Sequence, residues 1–165
     1  GFDLLEPIPH ELAREDFGMV VLGSGEKRYE DFFRWFAATY PEKVAVRIGY
    51  NNDLAHRIEA GAALFLMPSR YEPCGLNQIY SLRYGTLPLV RATGGLDDTI
   101  DAETGFKFRA YSSQELLETL QAAFQVYGTK KWLEMIRTAM GRSFLWQASA
   151  RQYSELYRRL VASNG

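Results

Sequence analysis

Short apolar runs alternate along the chain with segments whose apolar residues recur at helical spacing. The apolar runs predict strands, four of them buried and the last a weaker edge strand: 17–25, 43–50, 62–69, 86–95 and 104–110. The amphipathic segments predict helices: 26–40, 52–61, 76–85, 112–128, 129–141 and 147–163. This alternation predicts an α/β fold, a Rossmann-like parallel sheet with helices on both faces.

The chain opens on a helix-like segment, GFDLLEPIPHEL, with no strand before it. A doubly wound domain normally opens with a central strand, so we expect one domain that lacks its first strand. That strand would lie between the strands predicted at 17–25 and 62–69. Without it, those two strands must close up or be covered by a second copy.

Composition narrows the classes of function. The 165 residues suffice for one domain with a sizeable core, at 47% hydrophobic and 24% charged. The formal net charge of −1 gives no electrostatic reason to expect nucleic acid or an anionic membrane as a partner. No apolar run approaches the roughly 20 residues of a membrane span. One cysteine permits no internal disulfide, which fits a reducing cytosol.

A corner, EPCG at 72–75, separates a predicted strand from the helix that follows it. In an open α/β sheet, such a loop lies in the ligand crevice at the carboxyl end of the strand. The first helix amides, those of Gly75, Leu76 and Asn77, have no partner inside the helix, and the helix dipole adds partial positive charge. Together they predict a phosphate site, which Gly75 lets the ligand approach closely.

Glu72 admits two interpretations. A carboxylate pointed at a diphosphate would repel it, so Glu72 is better placed to accept hydrogen bonds from hydroxyls of a group attached to the diphosphate. That interpretation indicates a nucleotide-sugar. In the other interpretation Glu72 caps the helix and Pro73 only turns the chain, and the local pattern favours this second one slightly.

A long segment, PSRYEPCGLNQIYSLRYGTLPLVRATGGLDDTI, resembles the C-terminal half of bacterial glycogen synthases and plant starch synthases. IGYNNDLAHRIEAGA before it and FLWQASARQYSELY after it resemble the same family. The resemblance implies a B-type glycosyltransferase, in which two Rossmann-like domains face a cleft. Residues 1–165 would be the C-terminal, nucleotide-sugar-binding domain, with an α/β core at 1–146. The helix at 147–163 would cross to the N-terminal domain, which holds the acceptor glucan.

The resemblance also implies roles for single residues. Glu72 is the catalytic candidate, because it matches the glutamate that binds sugar hydroxyls and orients the glucose. Tyr50 matches the aromatic residue that stacks on adenine. The remaining donor-binding candidates match the corner, the helix start and a loop lining the cleft: Cys74, Gly75, Leu76, Asn77, Thr93, Gly94 and Gly95. Many retaining transferases carry a second glutamate where this chain has Tyr80, which is given no catalytic role.

The activity that the resemblance implies is transfer of glucose from ADP-glucose to the 4-hydroxyl of an α-1,4-glucan end, with retention. No metal and no cofactor beyond the donor are expected, and the enzyme would be cytoplasmic or, in a plant, plastidic. The family's phosphate-binding arginine and lysine match positions just before GFDLL and have no counterpart here. The fragment alone is therefore expected to be inactive. It is also expected to self-associate, because an apolar stripe in the last helix lacks a partner: Tyr153, Leu156, Tyr157 and Leu160.

Two other functions stay open. One is a non-catalytic nucleotide-binding or regulatory domain. The other is a different Rossmann enzyme such as a dehydrogenase, for which GSG at 23–25 supplies only half of a dinucleotide fingerprint. His56 is expected to be structural. Asp97 and Asp98 fit a helix start better than a cation site.

Overall fold

A computed structural model describes residues 1–163, except for the side chain of Ala148. Each predicted strand is present and shorter than predicted: Met19–Gly23 (β1), Val44–Ile48 (β2), Leu64–Met67 (β3), Leu87–Arg91 (β4) and Phe106–Phe108 (β5). The predicted and observed strand bounds differ most at 86–95, where β4 ends at Arg91 and a helix starts at Gly94. Gly94 and Gly95 therefore belong to a helix start, in which Asp97 occupies the first turn, as the sequence predicts for the aspartates.

Within the described residues, eight α-helices follow a short 3-10 turn at Phe2–Leu4: Pro9–Arg14 (α1), Lys27–Thr39 (α2), Asn52–Gly61 (α3), Asn77–Tyr84 (α4), Gly94–Thr99 (α5), Ser113–Val126 (α6), Lys130–Gly141 (α7) and Trp146–Ser163 (α8). Side-chain caps fix several starts. Asn51 Oδ1 accepts from the Leu54 amide and starts α3. Ser112 Oγ accepts from the Glu115 amide and starts α6, but the Glu115 carboxylate binds the Arg109 and Ala110 amides instead of closing a capping box.

The parallel strands form two sheets rather than one. β1 pairs with β2, in the register Met19 to Val44, and β3–β4–β5 form the second sheet. Among residues 1–163 no strand pairing joins β1 to β3. The expectation that these two strands close up is therefore wrong. Gly1 packs against the backbone of Pro68, at the carboxyl end of β3.

Hydrophobic clusters lie on both faces of the strands. One cluster contains Phe36 of α2, Leu89 of β4 and Leu116 of α6. The other contains Leu82 of α4 and Val90 of β4. β4 is the centre of its sheet and Leu87–Val90 are buried, because helices cover both faces there. The predicted fold class, parallel strands with helices on both faces, is confirmed.

The last helix, α8, leaves its apolar stripe in solvent. Tyr153, Leu156, Tyr157 and Leu160 are all exposed, between 49% and 61%. α8 begins at Trp146, one residue earlier than predicted, and the division between a core at 1–146 and a tail helix at 147–163 stays a prediction. Of the described residues, no helix combines the length and apolar character that a membrane crossing needs.

Candidate functional site

The corner lies between the carboxyl end of β3 and the start of α4. Glu72 is half-buried, and Leu76, at the N-cap position of α4, has no side-chain cap hydrogen bond. The interpretation in which Glu72 caps the helix is therefore wrong. Within residues 1–163, no side-chain cap hydrogen bond satisfies the start of α4, and the positive end of the helix dipole lies at the same place. An anion would be stabilised there.

Gly75 is required for a different reason from the one the sequence indicates. Its φ of +72° lies in the left-handed region, and a Cβ would come within 2.9 Å of Gln78 Nε2. The space beside Gly75 thus holds the Gln78 amide. Gln78 is fully buried and donates to the carbonyls of Cys74 (3.0 Å) and Gly75 (3.1 Å), and to Thr99 Oγ1 of α5 (3.2 Å).

The loop after β4 is packed directly against the corner. The Gly95 amide donates to the Glu72 carbonyl at 3.1 Å. A Cβ on Gly95 would overlap the Cys74 carbonyl, and a Cβ on Gly94 would come within 3.1 Å of the Glu72 carbonyl carbon. Thr93 occupies the N-cap position of α5, again with no side-chain cap. The structure thus brings Thr93–Gly95 together with the corner and shows the two glycines to be backbone support for it.

Tyr50 and Cys74 are both exposed, as are Leu76 and Asn77 at the start of α4. Tyr50 follows β2, in the other sheet, and is 89% exposed, so its ring is free to stack. The contacts that join the corner to the loop after β4 do not include Tyr50. Cys74 is an exposed free thiol whose Sγ lies 3.5 Å from the Gly75 carbonyl.

Other polar residues near these loops have structural partners. Asp97 pairs with Lys107 at 2.6 Å, and that hydrogen bond holds the pKa of the Asp97 carboxyl below its usual range. His56 Nδ1 lies 3.0 Å from the Tyr84 hydroxyl, in agreement with a structural role. Within residues 1–163, no three His, Cys, Asp or Glu side chains gather as a candidate metal site.

Sequence reasoning missed two residues that hold the corner, Gln78 and Arg91. Arg91, at the end of β4, donates to the carbonyls of Ser69 (2.8 Å, from Nε) and Arg70. Nothing in the local sequence marks either residue, because their partners are main-chain carbonyls of a loop. What distinguishes Gln78 is its burial in the first turn of α4, and burial is a tertiary property that the local sequence does not show.

Comparison with known proteins identifies the family. The family model described as glycosyl transferases group 1 matches residues 3–137. The chain belongs to this family. Within it, the chain is 52% identical to a glycogen synthase of Koribacter versatilis over 96% of its own length, and 46% identical to a glycogen synthase of Bacillus cereus over 98%. It spans about a third of the length of these relatives, 34% and 36%.

Two solved structures agree with the fold. The catalytic domain of starch synthase IV from Arabidopsis thaliana, bound to ADP and acarbose, superposes with a TM-score of 0.72 at 27% identity, over 95% of this chain and 43% of that one. Anabaena Alr3699/HepE in complex with UDP gives a TM-score of 0.74 at 18% identity, over 96% of this chain and 45% of that one. The second likeness carries the fold alone.

Proposed function

We propose that this chain is the donor-binding domain of a glycogen or starch synthase, a retaining hexosyltransferase. Its donor is ADP-glucose, and its acceptor is the 4-hydroxyl of an α-1,4-glucan end, bound by an N-terminal domain. The observation that carries the proposal is the corner itself, in which the half-buried residue Glu72 comes four residues before the uncapped helix start at Leu76. Support comes from the similarity to glycogen synthases and from the ADP bound in the starch synthase IV structure.

In this proposal the start of α4 stabilises the leaving diphosphate, and Glu72 binds the glucose. As the bond between the glucose and ADP breaks, negative charge grows on the leaving diphosphate. The amides of Gly75, Leu76 and Asn77 and the dipole of α4 stabilise that charge without reorganising. Positive charge grows near the ring oxygen of the glucose. Glu72 holds the sugar through its hydroxyls, so that the acceptor attacks from the side of the leaving group and the α configuration is retained.

The other predicted residues complete the donor site. Tyr50 stacks on the adenine, Cys74 lies close to the donor, and the loop at Thr93, Gly94 and Gly95 lines the same cleft. The chemistry requires no metal and no cofactor beyond the donor, since the fixed amides of this chain and cationic side chains of the complete enzyme supply the charge stabilisation. Such an enzyme works in the cytoplasm of a bacterium or in a plastid.

The ligand class is tested by NMR titration of the ¹⁵N-labelled chain with ADP, ADP-glucose and NAD. We expect ADP and ADP-glucose to shift the amides of Leu76 and Asn77 and the signals of Tyr50, and NAD to bind more weakly than either. A preference for NAD would indicate a dehydrogenase and overturn the proposal.

Transfer itself is tested on a complete protein that contains this chain. We expect labelled glucose to pass from ADP-glucose into a glucan, with an α linkage in the product. ADP binding without transfer in the complete protein would instead identify a regulatory nucleotide-binding domain.

A further inference from the structure

The loop that carries Glu72 is held through its carbonyl groups. Residues 68–76 contain neither helix nor strand. Three groups from outside this loop donate to it: the Arg91 guanidinium, the Gly95 amide and the Gln78 side-chain amide. They bind five carbonyls, those of Ser69, Arg70, Glu72, Cys74 and Gly75. Glu72 thus lies between a fixed entrance, at Ser69 and Arg70, and a fixed exit, at Cys74 and Gly75.

Among the described residues, Arg91 is the only side chain that donates hydrogen bonds to the entrance carbonyls of Ser69 and Arg70. Its Nε lies 2.8 Å from the Ser69 carbonyl, and Nη2 donates to the neighbouring Arg70 carbonyl. Nη1 reaches the Arg109 carbonyl at 3.5 Å. Nε and Nη2 of the planar guanidinium are thus both occupied by main-chain oxygens. A planar guanidinium binds two successive carbonyls through N–H groups fixed in one plane, whereas the donors of an ammonium rotate and fix no such plane.

Tyr111 supports the Arg91 guanidinium. The Tyr111 ring centroid lies 5.4 Å from Cζ of Arg91 and 5.3 Å from Cζ of Arg70, so two cations flank one ring. The Tyr111 hydroxyl donates to Asp3 Oδ1. Burial, together with this hydrogen bond, raises the pKa of Tyr111 to about 12, so the phenol keeps its proton at neutral pH. The ring therefore stays neutral and in place beneath Arg91.

We propose that Arg91 is a positioning residue for Glu72, acting through the Ser69 and Arg70 carbonyls and supported by Tyr111. Glu72 follows Arg70 by two residues, so a shift of the entrance moves the carboxylate with it. A displacement of about 1 Å in a group that orients substrate costs up to about a hundredfold in rate. The expected effect of Arg91 on turnover rests on the proposed function, whereas its expected effect on the position of Glu72 does not.

The Gly95 amide reports the position of the corner independently of activity. Gly95 is buried and its amide bonds the Glu72 carbonyl, so displacement of Glu72 breaks that bond and exposes the amide to exchange. We expect Arg91→Met and Arg91→Lys in this chain to shift the Gly95 amide signal and speed its hydrogen exchange. Arg109→Met is the matched control, since the Arg109 side chain is 77% exposed and only its carbonyl contacts Arg91.

Turnover is measured with the same substitutions in a complete synthase that contains this chain. For both Arg91 variants we expect kcat to fall at least about tenfold, because orientation is lost, with ADP affinity little changed. Arg109→Met should keep both. If Arg91→Lys keeps the kcat of the unmodified synthase, a positive charge suffices at this position without the planar guanidinium, and the proposal is overturned. An equal loss of ADP affinity would show that Arg91 binds the nucleotide, which also overturns it.

Tyr111 variants keep the test decisive if Arg91 variants unfold. Tyr111→Leu removes the ring beneath Arg91 and should produce the same shift at Gly95 and a smaller fall in kcat. Tyr111→Phe keeps the ring and should resemble the unmodified chain at Gly95. An unaltered Gly95 amide in Tyr111→Leu would contradict the proposal. If the unmodified synthase transfers no glucose, the proposed function fails, while the Gly95 signal still decides whether Arg91 holds the corner.

Discussion

At the scale of single residues, close backbone packing defines the corner. Gly94 and Gly95 lie against the carbonyls of Glu72 and Cys74, where no side chain fits. Gln78 fills the space beside Gly75. The carboxylate and the helix amides that would meet a ligand are therefore positioned by residues that need not touch it.

Glu72→Ala in a complete synthase should reduce turnover far more than donor affinity. Its hydrogen bonds to sugar hydroxyls strengthen as the glucose reorganises, so their loss falls on the transition state. Steady-state kinetics with ADP-glucose, together with ADP binding, separate the two effects. Near-normal kcat would show that Glu72 is only a corner residue.

Tyr50→Ala should weaken ADP and ADP-glucose equally, by roughly 1–3 kcal/mol, if the ring stacks on adenine as aromatic residues stack on bases elsewhere. The sugar should not matter, because the ring contacts only the base. Titration calorimetry with both ligands measures this, and Tyr50→Phe should bind as the unmodified chain does. Unchanged affinity in the alanine variant would exclude Tyr50 as the adenine platform.

Gly95→Ala should destabilise the chain and displace the corner. The new Cβ would lie 2.6 Å from Cys74 Cα and overlap the Cys74 carbonyl, and backbone atoms cannot rotate away. Gly61→Ala is the control, since nothing lies within 4 Å of a Cβ there and the residue ends a helix. Thermal unfolding should show a lower Tm for Gly95→Ala only. Equal Tm values for the two variants would mean that the corner accommodates a Cβ at position 95 without loss of stability.

At the scale of elements, α3 and α4 meet through a buried carboxyl group. Glu59 is 5% exposed and accepts from Ser81 Oγ at 2.7 Å, and Thr86 donates to its carbonyl. Burial raises the pKa of the Glu59 carboxyl above its ordinary value, while the hydrogen bond from Ser81 and the charge of His56 act against that shift. α3 follows Tyr50 and α4 starts at the corner, so this contact joins the two parts of the candidate donor site.

Stability should depend on pH through Glu59 in a defined direction. Because the folded-state pKa is raised, the folded chain binds the proton more tightly than the unfolded chain does. The stabilisation that protonated Glu59 provides is fully present below the pKa of the unfolded state. It is lost as the pH rises through the pKa of the folded state. Urea unfolding should be measured at several pH values across the weakly acidic range. As the pH rises, the free energy of unfolding of the unmodified chain should fall relative to that of Glu59→Gln. The exposed Glu42→Gln variant should follow the unmodified chain, and parallel curves for all three would contradict the prediction.

At the scale of the whole molecule, two surfaces lack partners within the described chain. β1 pairs only with β2 and β3 only with β4, so one edge of each strand has no strand beside it among residues 1–163. The apolar stripe of α8 is the second surface. Unpaired strand edges and exposed apolar stripes both promote association.

The isolated chain should therefore self-associate, which sedimentation across a concentration series measures. Leu156→Gln with Leu160→Gln should shift the distribution toward monomer if α8 drives the association. Should the variant associate as before, the strand edges are responsible. A monomer at high concentration with a high Tm would show that both surfaces are covered within one chain.

The sequence by itself determined the fold class, the position of the corner and most of the elements. Apolar periodicity placed the five strands found within residues 1–163, because that signal is local, but it extended β4 over residues that form α5. Only the tertiary structure decided that the strands form two sheets and that Glu72 does not cap α4. It also decided that Arg91 and Gln78 hold the corner. Their partners are carbonyls, which every residue carries, so side-chain identity along the chain cannot reveal which of them will meet.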